Sequence, residues 1–101
     1  MKKSFAEKCY DVLRKVPKGR VTTYGAIAKA LKSKAYRAVG TVMNKNPYAP
    51  EVPCHRVVNS GGEIGGFAGG VKAKIAILKG EGVFVKNGKV RDFEKIFYSF
   101  R

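Results

Sequence analysis

A chain of 101 residues holds one domain with a single modest core, so there is no room for a second catalytic domain. Its 21 Lys and Arg against 7 Asp and Glu leave a net charge of +14, an excess that asks for a polyanionic partner such as nucleic acid, or else belongs to a very soluble basic protein. With two cysteines, one histidine and no signal-like or membrane-length apolar run, a disulfide framework, a structural zinc site and a transmembrane span are all poorly supplied, and the chain reads as intracellular and reduced.

In chain order, Phe5, Cys9, Val12, Leu13 and Val16 recur at three- and four-residue spacing. They predict an amphipathic helix over residues 3–15, stopped by Pro17 and Gly19. Cys9 lies on its apolar face and reads as a small buried hydrophobe. Thr22 or Thr23 is the expected N-cap of a second helix through Ala26, Ile27, Ala30 and Leu31. After the Lys32-Ser33-Lys34 break, AYRAVGTVMNKN predicts a third. Two short helices joined by a polar turn on a basic domain are a helix-turn-helix candidate. Eleven Lys and Arg but only Glu7 and Asp11 fall in residues 1–37, so this part carries most of the positive field.

At 3.6 residues per turn, the third helix gathers Ala35, Tyr36, Val39, Val42 and Met43 on one face and Lys34, Arg37, Thr41 and Asn44 on the other. Ala38 and Gly40 flank the polar face and are too small to hold the helix away from a surface. Arg37 is then the one long cation at the centre of a small-residue face. An ordinary solvated face is the alternative.

Residues 46–53 contain three of the four prolines and form a stiff loop that delivers Cys54. The segment NSGGEIGGFAGG at 59–70 is half glycine, and the apolar Ile64 and Phe67 within it favour a loop whose backbone approaches a ligand. Val71, Ile75 and Leu78 predict a helix ending at Gly80-Glu81-Gly82. A hairpin with strands at 84–85 and 89–90 about Asn87-Gly88 follows as a short wing, and then a terminal helix over 93–100. The expected architecture is mainly α, a winged helix-turn-helix-like domain with a short β-hairpin, occupying 1–101 as one domain.

In VPCHRVV, residues 52–58, Cys54 precedes the only histidine. Adjacent side chains diverge on either a strand or a helix, which disfavours direct proton transfer of the cysteine-protease kind. A bridging water or a third group is needed, and Glu81, between two glycines at a helix end, is the candidate that would orient His55. An ordinary turn cysteine beside a surface histidine is the alternative.

Together, VPKGRVTTYGAIAKAL at 16–31, AYRAVGTVMNKNP at 35–47, VPCHRVV at 52–58, GGFAGG at 65–70 and KGEG at 79–82 resemble the DNA-binding and active-site domain of the O6-alkylguanine-DNA alkyltransferases. The resemblance implies a single-turnover methyltransferase in direct DNA repair. Cys54 would accept the alkyl group irreversibly, His55 would take its proton through water, and Glu81 would hold His55. Tyr24, otherwise read as a packing residue, would donate to guanine N3. The carbonyls of Cys54 and Val57 would accept from the exocyclic amine and the amide of Ala68 would donate to O6, with Phe67 and Met43 in the pocket wall. Asn46 would tie the recognition helix to the Cys54 loop. Arg37 would fill the stack vacated by a nucleotide flipped out through the minor groove, beside Lys34, Ala38, Gly40, Thr41, Asn44 and Thr23 at the DNA. No cofactor, metal or membrane is implied, and the expected form is a monomer in the cytoplasm, or in the nucleus of a eukaryote. Many family members carry an N-terminal domain not matched here. The related alkyltransferase-like proteins, which bind alkylated DNA without repairing it, usually have tryptophan where this chain has Cys54, so a damage sensor is the alternative function. A winged-helix regulator with an unused pocket is a third reading.

Overall fold

The computed structural model describes residues 3–49, 51–67 and 69–100. Helix α1 is Phe5–Leu13, N-capped by Ser4, whose Oγ accepts from the Glu7 amide at 3.2 Å. It is shorter than its apolar periodicity predicts, because Lys15 and Val16 already donate to carbonyls three residues back as the chain tightens toward Pro17. Strand β1, Thr22–Thr23, runs directly into α2, Tyr24–Ala30, with Thr23 Oγ1 capping the helix through the Ala26 amide at 3.0 Å. Helix α3, Tyr36–Asn44, packs against α2, and both contact α1.

Beyond the proline loop, a 3₁₀ turn at Cys54–Arg56 leads into β2, Val57–Val58. β2 pairs in parallel with β1 in the register Thr22 to Val57 and Thr23 to Val58. Neither strand is predicted by the sequence pattern, since two residues are too few to show alternation. Their pairing nevertheless sets the site: Tyr24 immediately follows one strand and the Cys54 turn immediately precedes the other. Helix α4 is Val71–Gly80, and the hairpin is β3, Val85–Lys86, with β4, Lys89–Val90. Asn87 and Gly88 both have positive φ, 53° and 77°, as a tight primed turn requires.

The terminal helix α5 covers only Phe93–Ile96, not the predicted 93–100. The sheet takes the rest of the segment. Phe97 bridges Val21 in parallel, the Tyr98 amide donates to Val21 O at 2.7 Å, and Arg20 donates to the carbonyls of Ile96 and Phe97.

Two apolar cores result. One joins α1, α2 and α3 to the cysteine turn through Leu13, Val16, Ile27, Val39, Val52 and Val57. The other sets Val21 and Val58 against Leu78, Val83 and Val90. Cys9 is fully buried in the first core, and burial pushes its thiol pKa up, which suits a packing residue rather than a nucleophile. Tyr36 departs from its expected core face. It begins α3 and is 53% exposed, while Val39 and Met43 one and two turns on are buried.

Candidate active site and DNA surface

The proline loop holds its shape through one side chain. Asn46 donates from Nδ2 to Val52 O at 2.7 Å, and its Oδ1 accepts from the Tyr48 amide at 2.9 Å. Asn46 follows α3 closely, so this pair of bonds joins the helix end to the segment delivering Cys54. The turn then closes through Cys54 N to Val52 O and Arg56 N to Pro53 O, both 2.9 Å. Cys54 faces the first core and is 8% exposed. Its thiol is sheltered from bulk solvent without being sealed in.

His55 is 3% exposed, and its Nε2 lies 3.0 Å from Glu81 Oε2. Glu81 caps the C-terminus of α4, and Gly82 follows at φ +86°, a conformation that lets the chain turn sharply away. The carboxylate is also gripped by Arg56, whose Nε donates to Oε1 at 2.9 Å and whose terminal nitrogen donates to Oε2 at 2.7 Å. A third Arg56 nitrogen donates to Val16 O at 2.9 Å, anchoring the guanidinium to the end of the α1 segment. Burial raises the Glu81 carboxyl pKa, but the hydrogen bonds from Arg56 and His55 outweigh it, and the net result lies below the ordinary value. An ionised Glu81 on Nε2 favours the tautomer with the proton there, leaving Nδ1 as the nitrogen that can accept one.

Tyr24 packs against the same core as Cys54. Burial first, and the neighbouring Cys54 second, raise its phenol pKa, so the group is a hydrogen-bond donor at neutral pH. A Cβ at Gly40 would meet the Tyr24 ring at 3.9 Å, so Gly40, expected on the outward flank of α3, lies beside this tyrosine. Met43 is buried and Phe67 half-buried against the same cluster, whereas Ala68 lies outside the described residues.

Lys74 is fully buried. Its Nζ donates to Val57 O at 2.6 Å and to Gly66 O at 3.1 Å, pinning the strand after the cysteine turn to the glycine-rich loop. Burial lowers its pKa to about 8, against an opposing pull from Cys54. Val57 O, expected to receive a guanine amine, therefore already has one partner. A carbonyl oxygen has a second lone pair, so the two uses are compatible.

Sequence reasoning gave no role to Arg56 or Lys74. The signal for Lys74 was its position: Val71, Lys74, Ile75 and Leu78 fall at i, i+3, i+4 and i+7, which sets the lysine in the apolar stripe of α4. Arg56 adjoins the cysteine-histidine pair, but only the fold brings it to Glu81.

On α3, Lys34 just before the helix and Arg37, Ala38, Thr41 and Asn44 within it are exposed, and no acidic residue occupies its first turn. Thr23 does not join them: it is 5% exposed and its hydroxyl oxygen is used in capping α2. Among the described residues no cluster of His, Cys, Asp or Glu could hold a metal ion, and no helix is long and apolar enough to cross a membrane.

Residues 4–83 match the family described as 6-O-methylguanine DNA methyltransferase, DNA binding domain. A methylated-DNA–protein-cysteine methyltransferase of Thermococcus kodakarensis is 49% identical over 80 residues, covering 78% of this chain and 45% of the relative. The chain spans about half the length of such curated relatives. Among solved structures, Mycobacterium tuberculosis OGT in complex with DNA superposes with a TM-score of 0.75 at 36% identity, over 80% of this chain and 51% of that one. Atl1 of S. pombe, in complex with damaged DNA containing O6-carboxymethylguanine, gives 0.81 at 29% identity over 99% of this chain and all of Atl1.

Proposed function

Since the chain belongs to the 6-O-methylguanine DNA methyltransferase family, we propose that it repairs O6-alkylguanine in double-stranded DNA by moving the alkyl group irreversibly to Cys54. The observation that carries this reading is a sheltered thiol followed directly by a histidine whose far nitrogen is held by an ionised, doubly anchored carboxylate.

In the proposed step the Cys54 proton passes through water to His55 Nδ1, and Glu81 stabilises the imidazolium that forms. The sulfur attacks the alkyl carbon as the carbon–O6 bond breaks, and the bonding pair leaves with guanine. Tyr24 donates to N3 of the departing base and offsets that charge. The amide of Ala68 serves O6, while the carbonyls of Cys54 and Val57 receive the exocyclic amine. Met43 and Phe67 wall the base.

A base inside a duplex cannot reach this thiol, so flipping is required, at a cost of a few kcal/mol. Arg37 takes the vacated place from the minor groove. Lys34, Ala38, Thr41 and Asn44 line the approach, with Gly40 behind them supporting Tyr24. Residues 1–101 act as one domain, as a monomer and without a cofactor, in the compartment that holds the DNA: the cytoplasm, or the nucleus of a eukaryote.

The match to Atl1 along its whole length favours a second reading, recognition of alkylated DNA without transfer. Cys54 separates the two. After incubation with a duplex containing O6-methylguanine, mass spectrometry should find one added methyl, on the Cys54 peptide, and no more than one transfer per chain. Cys54→Ala should abolish transfer and retain duplex binding. Binding without any mass change in the native chain would favour the sensor, and methylation at Cys9 would mean that the wrong thiol was chosen.

A further inference from the structure

A groove of about 530 Å³ runs between α2 and the chain's last described residues. None of Tyr24, Cys54, His55 or Glu81 lines it, so it is separate from the pocket described above. One side is the small-residue surface of Gly25, Ala26 and Ala30, and the other carries the half-buried rings of Phe97 and Phe100. Lys29 and Lys32 border it and no carboxylate does, among the described residues.

The aromatic wall is built rather than draped. Besides the bond from Tyr98 N to Val21 O, Thr22 Oγ1 donates to Tyr98 O at 3.1 Å, and Phe100 sits edge-on to Tyr98 with ring centroids 5.2 Å apart. This wall lies beyond residues 4–83, which match the family description, though within the span that superposes on Atl1.

We propose that this groove binds an unpaired nucleotide of the DNA the protein holds, in a single-stranded segment adjoining the duplex; the proposal rests on the DNA-binding reading above. Two lysines without a neighbouring acid suit a phosphate. They alone would serve a duplex backbone equally well. The two rings supply what a duplex cannot use, because its bases are already stacked inward, whereas an unpaired base has a face to offer an aromatic side chain. The flat surface of α2 admits the sugar and base closely, and the volume falls within the roughly 300–1,000 Å³ usual for small-ligand sites. The chain would thus bind most firmly where duplex DNA meets a single strand.

The test compares fluorescence anisotropy of the full chain with a blunt duplex and with the same duplex bearing a short single-stranded thymidine extension, at matched salt. The extended DNA should bind about tenfold more tightly, the order expected from stacking one base. Phe100→Leu, which keeps apolar bulk against Tyr98, should reduce that ratio toward unity and leave blunt-duplex affinity unchanged. Lys29→Ala should also reduce it. Photocrosslinking from iodouracil in the extension should map to the peptide containing residues 97–100. A ratio of one in the native chain, a ratio indifferent to Phe100→Leu, or a crosslink into the Cys54 pocket would each overturn the proposal while leaving duplex binding intact. Failure to bind either DNA would instead overturn the DNA reading, and this inference with it.

Discussion

Arg56 grips both oxygens of Glu81, at 2.9 and 2.7 Å, so the carboxylate that holds His55 is itself held by the residue next to that histidine. The turn Cys54–Arg56 and the end of α4 are thereby locked together by one anion with two donors. Arg56→Ala would leave Glu81 charged and poorly partnered in a largely buried place. Loss of one partner from such a pair costs about 3–5 kcal/mol, and denaturant titration should show a loss of that order. Arg56→Lys should recover part of the stability and less of the transfer rate, because an ammonium cannot engage both oxygens in a planar fork.

The same anion sets an acid limit. With its folded pKa below the ordinary carboxylate value, Glu81 contributes stability that is present above the unfolded pKa and is lost as pH falls through the folded one. Glu81→Gln should remove that part of the acid dependence in thermal melts taken below the ordinary carboxylate value of about 4.3, and transfer should slow at neutral pH through loss of the charge facing His55. An unchanged acid limb would mean that other carboxylates govern it.

Lys74 acts in the same direction, at the alkaline end of the range. Its folded pKa of about 8 lies below the unfolded value of about 10.4, so between the two the unfolded chain binds more protons and stability rises with pH. Below pH 8 both states are protonated, and the cost of burying the ammonium, roughly 3 kcal/mol by the size of the shift, is fully present. A neutral amine still has the two hydrogens needed for Val57 O and Gly66 O. Urea titrations from pH 7 to pH 10 should therefore show the native chain gaining stability relative to Lys74→Met as pH rises. A constant difference would mean that Lys74 does not titrate in that range.

The parts of this molecule legible in the sequence are those written in local patterns. Thr23 announces α2 as a cap, Asn87-Gly88 announces the hairpin, and the i, i+3, i+4 spacing finds α1 and α4 to within a few residues. The pairing of β1 with β2 was not legible, because two-residue strands 35 positions apart carry no periodicity, yet it is what sets Tyr24 beside the Cys54 turn. The end of α5 was misread because the Val21 edge outcompetes helix continuation, a tertiary effect absent from local propensity. At the site, Cys54, His55 and Glu81 stand out by residue type. Arg56 and Lys74 did not, since one more cation among 21 draws no notice until its burial is known.

Tyr24→Phe removes one hydroxyl and keeps the ring that packs against the core and lies beside Gly40. Stability should change by no more than about 1 kcal/mol, the net worth of an ordinary hydrogen bond. Single-turnover transfer should slow by roughly ten- to a hundredfold, within reach of one general-acid contribution, while affinity for damaged duplex stays nearly constant. Equal losses in rate and affinity would make Tyr24 a binding residue only.

Lys34 is exposed just before α3 and Arg37 in its first turn, which allows general electrostatics to be separated from base extrusion. If Lys34 meets only phosphate, Lys34→Ala should weaken all duplexes alike and lower the salt slope by about one contact. Arg37→Ala should do more than that. A residue that fills a vacated stack acts only when a base leaves it, so its loss should slow transfer from duplex far more than from free O6-alkylguanine, which needs no flipping. A fluorescent base analogue beside the lesion should report less extrusion in Arg37→Ala and normal extrusion in Lys34→Ala. Equal rate losses on duplex and on the free base would show that Arg37 supports the pocket from behind, and the small residues around it would then need a different explanation from close approach to the groove.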